Sequence, residues 1–457
     1  MFQTLARPLF ETPAIPLHGM MADPYFVSDY VNKDFIKQQN TGLRTNMGRL
    51  DPDVFSRGDS AWVLTSTGWY EVTGNDPRIG VNGLEIERDL SNLLDYNTDP
   101  FDGSSSWSEI AIGSVEKSRV SGGSPIDGED LITLQDTSMI LPEGISQQIP
   151  NAQINDSTQY TLVVNISNIS GGPRPVLVAV DDASGTKYGI SIKQDGTSVQ
   201  EITDTGYATS DFYGVTTEII NGVTQIFAYL TMTSDAASTT VTYQFYSCAA
   251  TNGAPWAFNV ALTGEVDWAY GLFYPGTFEG VYSPVVSTTI PDTRTREWLK
   301  YDHSSLSIPN NDFAVLVEWV PNSDENWGDE QILFQMGVSG ANHIRLSHGG
   351  SGNFLARKRL TSTNYDSTAS LTGIAGRTPI RGAARYQSSG DGVTAFCAGS
   401  KSGTPHANTT DCNLGTLFAI GAKQDANDSQ MNGGVTKLII TSNPSKLTDA
   451  FLQAWTA

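Results

Sequence analysis

Between about residue 105 and residue 290 apolar and polar positions alternate in short runs: Tyr160-Thr-Leu-Val-Val-Asn-Ile166, Val176-Leu-Val-Ala-Val180, Tyr188-Gly-Ile-Ser-Ile192, Thr224-Gln-Ile-Phe-Ala-Tyr-Leu-Thr231 and Val241-Thr-Tyr-Gln-Phe-Tyr246. A period of two puts alternate side chains on opposite faces of a strand, and runs this short, separated by Gly, Asn, Asp and Ser, predict antiparallel pairing. Asp195-Gly196 and Asn221-Gly222 supply the left-handed turn residues of tight hairpins. No βαβ pattern interrupts the series. A second β-rich stretch, about 298 to 457, opens with Phe313-Ala-Val-Leu-Val-Glu-Trp319. It continues through Gln331-Ile-Leu-Phe334, His343-Ile-Arg-Leu346, Ala383-Ala-Arg-Tyr386, Val393-Thr-Ala-Phe396, Phe418-Ala-Ile-Gly421 and Val435-Thr-Lys-Leu-Ile-Ile440. At its end the period changes: Leu447, Phe451, Leu452 and Trp455 share one helical face behind a Thr/Asp start signal.

Residues 1 to about 50 are patterned differently. Pro8, Pro13, Pro16 and Pro24 break the opening, and Phe26-Val27, Tyr30-Val31 and Phe35-Ile36 then recur at a spacing that predicts one short amphipathic helix after an extended arm. Such a segment has no core of its own and needs a neighbour to pack on. Phe26, Tyr30 and Phe35 are the candidate docking residues, either on a larger particle or as a strap over the next domain. The expected architecture is all-β: two consecutive antiparallel β-sandwich (jelly-roll) domains after an extended N-terminal arm, with a short C-terminal helix. The divisions fall at 1–50, 51–297 and 298–457.

Composition narrows the partners. The 457 residues suffice for two or three cores. With 27 Lys plus Arg against 49 Asp plus Glu, the net charge of −22 opposes a phosphate backbone, so no nucleic-acid partner is expected. The opening MFQTLARPLF lacks a signal-peptide apolar region, and no stretch approaches the ~18 apolar residues of a membrane helix. Neither membrane insertion nor signal-dependent export is expected. Cys248, Cys397 and Cys412 form no C-x-x-C pair. Cys397 and Cys412 could meet across a hairpin or remain buried free thiols.

Catalytic chemistry finds little support. A hydrolase sandwich can carry its acids as E-x-D-x-x-E on one strand; Glu265-Val-Asp267-Trp-Ala-Tyr270 comes nearest, with Tyr270 where the second acid belongs. Glu85-Ile-Glu87-Arg-Asp89 is another near miss, read as structural. No G-x-S-x-G elbow or phosphate-cradling loop occurs, so no enzyme is expected. His343 and His348 lie five apart on a predicted strand and so face opposite ways, which disfavours chelation. The acidic loop Asp324-Glu-Asn-Trp-Gly-Asp-Glu330 fails the calcium-loop pattern, with Asp329 at the glycine position and Gln335 at the bidentate position. No cofactor is expected, and calcium held through a less regular loop is left open.

Sugar recognition suits the residues better. Nine Trp and 17 Tyr stand in a Gly/Ser/Thr/Asn-rich frame, and a saccharide needs an aromatic ring for its C–H face beside polar groups for its hydroxyls. Trp327 is the candidate ring, with Asp329, Arg345, Tyr365 and Arg385 as candidate company. Trp319, Phe313, Phe396 and Trp455 read as core.

Two resemblances sharpen this picture. Phe55-Ser-Arg-Gly-Asp-Ser-Ala, Pro77-Arg-Ile79, Gly83-Leu-Glu-Ile-Glu87 and Asn92-Leu-Leu94, answered by Gly271-Leu-Phe-Tyr, Tyr282-Ser-Pro, Ser287-Thr-Thr-Ile and Thr293-Arg-Thr-Arg296, resemble motifs flanking a carbohydrate-module-like jelly roll in phage and prophage particle proteins. Leu272-Phe-Tyr274 departs from that family's Gln-Leu-Glu, and Tyr282-Ser-Pro284 reorders its closing strand. Glu318-Trp319, Ile420-Gly421, Val435-Thr-Lys-Leu-Ile439 and Leu447-Thr-Asp-Ala450 resemble a concanavalin/laminin-G-type domain. The resemblance implies a virion surface fibre, spike or decoration subunit. Such a subunit would be made in the host cytoplasm, docked by its arm on capsid, portal/tail or spike-base proteins, and would bind host surface polysaccharide. A homo-oligomer is expected, with a trimer as the first guess. A purely structural reinforcing protein and a polysaccharide-depolymerising tailspike remain the alternatives.

Overall fold

A computed structural model describes residues 24–30, 34–38, 44–46 and most of 54–457. The segments outside it are chiefly 111–115, 138–142, 171–175, 193–196 with the Asp195-Gly196 turn signal, 203–206, 235–239, 248–263, 277–282, 287–291, 303–307, 322–329, 338–341, 372–377, 423–430 and 443–446. Among the described residues the chain is all-β with one short C-terminal helix, and it divides into two compact units. One joins Ser56–Val81 to Glu87–Glu297, here the central sandwich; the other joins Met1–Phe55 to Asn82–Ile86 and Trp298–Ala457, here the C-terminal sandwich.

The central sandwich stacks two six-stranded antiparallel sheets. The first runs Trp107–Ile110, Gly144–Pro150, Thr240–Tyr246, Val176–Asp182, Lys187–Ile192, Val199–Glu201. The second runs Glu116–Val120, Leu131–Asp136, Gly264–Pro275, Gln159–Ser170, Val223–Thr233, Phe212–Ile220. Between them Ile145, Ile149, Tyr243 and Phe245 meet Leu162, Val164, Ile166, Leu230 and Trp268 in one apolar core. The second sheet is also covered on its outer face, where Val163, Phe227, Tyr270 and Leu272 pack under Leu64 and Trp69. Burial on both faces explains why Tyr160–Ile166 is apolar almost throughout rather than strictly alternating. The Asn221-Gly222 turn forms as expected: Ile220 pairs with Val223 across two residues with φ of 50° and 78°. Gly271 is required by close packing, since a Cβ there would sit 2.9 Å from the Trp268 ring.

The C-terminal sandwich has a sheet in the order Arg44–Asn46, Asp34–Gln38, Pro24–Asp29, Gly433–Thr441, Phe313–Pro321, Ile380–Tyr386, Val393–Cys397, Ser400–Lys401, with Gly83–Ile86 also pairing Gly433–Thr441. Facing it is a seven-stranded sheet: Thr363–Ser370, Asn353–Leu360, His343–Gly349, Gln331–Gly337, Leu417–Ile420, Trp298–Asp302 and Val54–Ser56. Trp319 stacks on Phe354 between them at 5.8 Å. Helix Asp449–Thr456 is capped by Thr448, whose hydroxyl accepts from the Phe451 N–H, and lays Leu452, Phe451 and Trp455 on Leu316, Ala383, Phe396 and Ile439.

The helix expected near residues 26–36 does not form. Pro24–Asp29 and Asp34–Gln38 are strands, with Phe26 opposite Ile440 and Val27 opposite Ile439. Apolar pairs four or five residues apart fit a hairpin as well as a helix, and the edge of Gly433–Thr441 offers backbone partners that a lone helix would lack. The segment is therefore built into the last sandwich rather than strapped over the next domain.

Candidate functional site

The front and back motifs of the central sandwich, far apart in sequence, close on one another. Leu90–Asn92 pairs antiparallel with Asp292–Arg294. Asn92 Oδ1 accepts from the Phe273 N–H at 3.1 Å, and Asn97 Nδ2 donates to the Gly271 and Val285 carbonyls, each at 2.9 Å. Beneath this seam lies a sealed ionic cluster. Glu297 receives Arg57 Nη1 at 2.6 Å and Arg78 Nε and Nη2 at 2.8 and 2.5 Å; Glu87 receives Arg78 Nη1 at 2.7 Å and Arg294 Nη1 at 3.0 Å. Ser283 donates its hydroxyl to Glu87 and accepts from Arg294. Arg57 further donates to the carbonyls of Asp59, Val72 and Thr73. The charged side chains are at most 4% exposed.

Desolvating such ions is costly, and only multiple short hydrogen bonds offset it. Burial pushes the Glu87 carboxyl up, but Arg294, Arg78 and the Ser283 hydroxyl outweigh it and hold the group at about 2. Burial lowers Arg57 and Arg294 from the usual guanidinium range, opposed by Glu297 and Glu87 respectively. The Glu87 carboxylate is thereby locked as an acceptor.

Above this cluster opens a cleft of about 430 Å³ lined by Asp59, Ser60, Trp62, Glu71, Asp127, Gly128, Glu129, Pro284, Val285, Val286, Asp292, Thr293 and Arg294. Four elements build it. The hairpin Ala61–Leu64/Trp69–Val72 brings Trp62 opposite Glu71. The 127–129 turn is fixed by the Asp127 N–H donating to the Trp69 carbonyl and by Thr98 donating to Glu129. The other two are the run 284–286, buried at Pro284 and Val285, and the closing strand Asp292–Arg294. Trp62 and Val286 are half-buried, resting on the outer apolar cluster while keeping some surface free. Among the described residues, five carboxylates and one guanidinium line the space around that indole. It can present a ring face to a ligand's C–H groups and several acceptors to its hydroxyls.

No family model and no curated protein matches this chain. Among solved structures it is similar to the CBM40 of the Ruminococcus gnavus IT-sialidase bound to α2,3-sialyllactose, at 13% identity over 35% of this chain and 93% of that one, with a TM-score of 0.29. Mouse laminin α1 domains LG4-5 match at 10% identity over 72% and 91%, TM-score 0.24. Trypanosoma rangeli sialidase in complex with sialic acid matches at 10% over 92% and 66%, TM-score 0.24. At these scores the likenesses assign this chain neither an activity nor a ligand.

The residues singled out from sequence in the C-terminal sandwich are placed apart. Arg345 is buried on His343–Gly349 and bound to Glu330 at 2.7 Å. Through Arg345↔Arg357↔Asp366 it shares a sheet face with Asp366, so Tyr365, the neighbouring residue, faces the other way and meets His406 edge-on at 4.8 Å. Arg385 belongs to the opposite sheet, where it is buried over the Phe396 ring, bonds the Leu447 carbonyl and pairs with Asp449 at 2.6 Å. Trp327 and Asp329 lie outside the described residues. Of the docking candidates, Tyr30 is buried, its hydroxyl 3.3 Å from that of Tyr301, while Phe26 and Phe35 lie on the two added strands.

Asp267 is held by Thr133 at 2.6 Å and Asn168 at 2.6 Å, and Tyr270 is core. His343 and His348 do fall on opposite faces of their strand. Cys397 and Cys412 are free, buried thiols, pushed up by burial to about 12 and about 11. Sequence reasoning missed Trp62 and Glu297. Glu297 directly follows the Thr293-Arg-Thr-Arg296 motif, a signal that could have found it; Trp62 had none, since it stands in the unbroken apolar run Ala61–Leu64.

Proposed function

We propose that this chain is a non-enzymatic virion surface subunit of fibre, spike or decoration type that holds an uncharged or amino-bearing saccharide of the host surface in the cleft at Trp62. One observation carries the reading: the two sequence segments that resemble particle-protein motifs converge, and the cleft is assembled from their ends, Asp59 and Ser60 on one side and Pro284, Thr293 and Arg294 on the other. Its volume is within the ~300–1,000 Å³ of small-ligand sites. The sealed Arg/Glu cluster below keeps the walls fixed, so little ordering is left for binding to impose. The charge balance among the described lining residues, five carboxylates against one guanidinium, disfavours a carboxylated sugar. On the particle, the end facing other virion proteins is the N-terminal segment.

The test is binding of the full chain and its Trp62→Ala variant to an array of neutral, amino-bearing and acidic bacterial glycans, with reducing ends assayed in parallel. Binding confined to the first two classes, lost in the variant and without new reducing ends, is the expected result. Reducing ends would establish the depolymerase alternative. Absence of all binding, together with particles that lose thermal stability when they lack the protein, would establish the purely structural one.

A further inference from the structure

Half of the exposed large hydrophobic residues among the described residues lie on one strand. They are Phe212 at 47%, Tyr213 at 42% and Ile219 at 60%, the other three being Tyr70, Val81 and Val120. That strand, Phe212–Ile220, is nine residues long and ends its six-stranded sheet; among the described residues it pairs on one side only, with Val223–Thr233. Natural edge strands are guarded by proline, lysine, short length or a bulge. This one has no proline and no lysine, keeps regular register over its whole length, and carries a single charge, Glu218.

We propose that Phe212–Ile220 is a homotypic interface: two copies of the chain pair antiparallel along this edge, joining their sheets across a two-fold axis. The partner follows from the strand's own symmetry. A two-fold axis normal to a sheet leaves its faces unchanged, so only registers placing residues of the same face opposite one another are allowed. Among these, the axis through Thr216 pairs all nine residues. Phe212 then faces Ile220, Val215 faces Thr217, and Tyr213 faces Ile219, so the two exposed residues of the core-side face cover each other twice per dimer. That face continues the interior, since Tyr213, Val215 and Thr217 lie opposite Leu230, Ala228 and Ile226 of the core. Aromatic against β-branched pairs are among the stabilising cross-strand combinations.

Charge is compatible with this register. In a chain of net charge −22 most self-contacts repel, but here Glu218 falls opposite Gly214, away from its symmetry mate. The contact is two-fold, so it yields a dimer and not the trimer expected from sequence.

Sedimentation of the full chain at micromolar concentration, with Ile219→Lys and Thr216→Cys variants, tests this. The parent is expected at twice 49.2 kDa. Ile219→Lys, at an exposed position, is expected to unfold at the parent temperature yet to dimerise at least about tenfold more weakly, ~1.4 kcal/mol. Oxidised Thr216→Cys is expected to give a covalent dimer, since residues opposite one another in antiparallel strands have Cα atoms about 4.5–5.5 Å apart, within disulfide reach. A monomeric or trimeric parent overturns the proposal. So does a dimer that survives Ile219→Lys and yields no Thr216→Cys cross-link.

Discussion

The two sandwiches use charge in opposite ways. In the central one, Arg57, Arg78, Arg294, Glu87 and Glu297 are sealed from water and bind segments from the two ends of the unit. In the C-terminal one, ion pairs lie nearer the surface of a sheet whose interior is apolar: Arg357 with Asp366 at 18% and 35% exposure, Arg345 with Glu330 at 6% and 28%. A pair open to water is worth little because solvent supplies the alternative partner, whereas a sealed pair becomes indispensable once either member is removed. The central unit is therefore brittle toward loss of any member of this cluster, and the C-terminal unit tolerant of losing either of these two pairs.

The largest expected effect breaks this contrast if it fails. Glu297→Gln leaves two guanidinium groups short of their shared carboxylate and is expected to destabilise the central sandwich by about 3–5 kcal/mol. Segment-resolved hydrogen exchange in denaturant should show the loss in 56–81 and 87–297 first.

Acid sharpens the comparison. Glu87, held at about 2 against an ordinary 4.5, contributes stability that is complete above about pH 4.5 and is lost as pH falls toward 2, a total of about 3 kcal/mol. In the C-terminal sandwich His348 is lowered by burial to about 4 from 6.5; its neutral form is the folded one, so stability complete above about pH 6.5 is lost as pH falls toward 4, again about 3 kcal/mol. Urea unfolding at pH 7, 5 and 3 should find the C-terminal sandwich weakening from the first interval onward and the central one chiefly in the second.

Smaller effects follow at the surface. Trp62→Ala should weaken saccharide binding by at least about tenfold, as loss of a central aromatic anchor does, with the ionic cluster undisturbed. Arg357→Met, which removes a two-pronged pair with Asp366 at 2.7 Å on each prong, should cost under about 1 kcal/mol in denaturant melts.

Alternation made most strands legible, and the Thr448 start signal revealed the last helix, because in those places one local preference agrees with tertiary packing. Where core positions are polar the pattern failed. Asn353–Leu360 hides its phase because Lys358, buried at 1% exposure and bonded to Asn311, occupies an inward position. Residues 24–38 were ambiguous because apolar pairs at that spacing suit either period until a sheet edge is present. Arg57, Arg78, Glu87 and Arg294 stood in the motifs, yet their meeting is a long-range fact that spacing does not encode. Arg345 and Arg385 were chosen for chemistry alone, and burial among internal partners is what the structure gives them.

The most direct test of the cleft is a titration of the full chain with one acidic polysaccharide and with its carboxyl-reduced form, repeated with Trp62→Ala. The lining predicts binding of the reduced form at least about tenfold more tightly than the parent polymer, ~1.4 kcal/mol, and loss of that binding in the variant. Equal or tighter binding of the acidic form, or binding indifferent to Trp62, would contradict it.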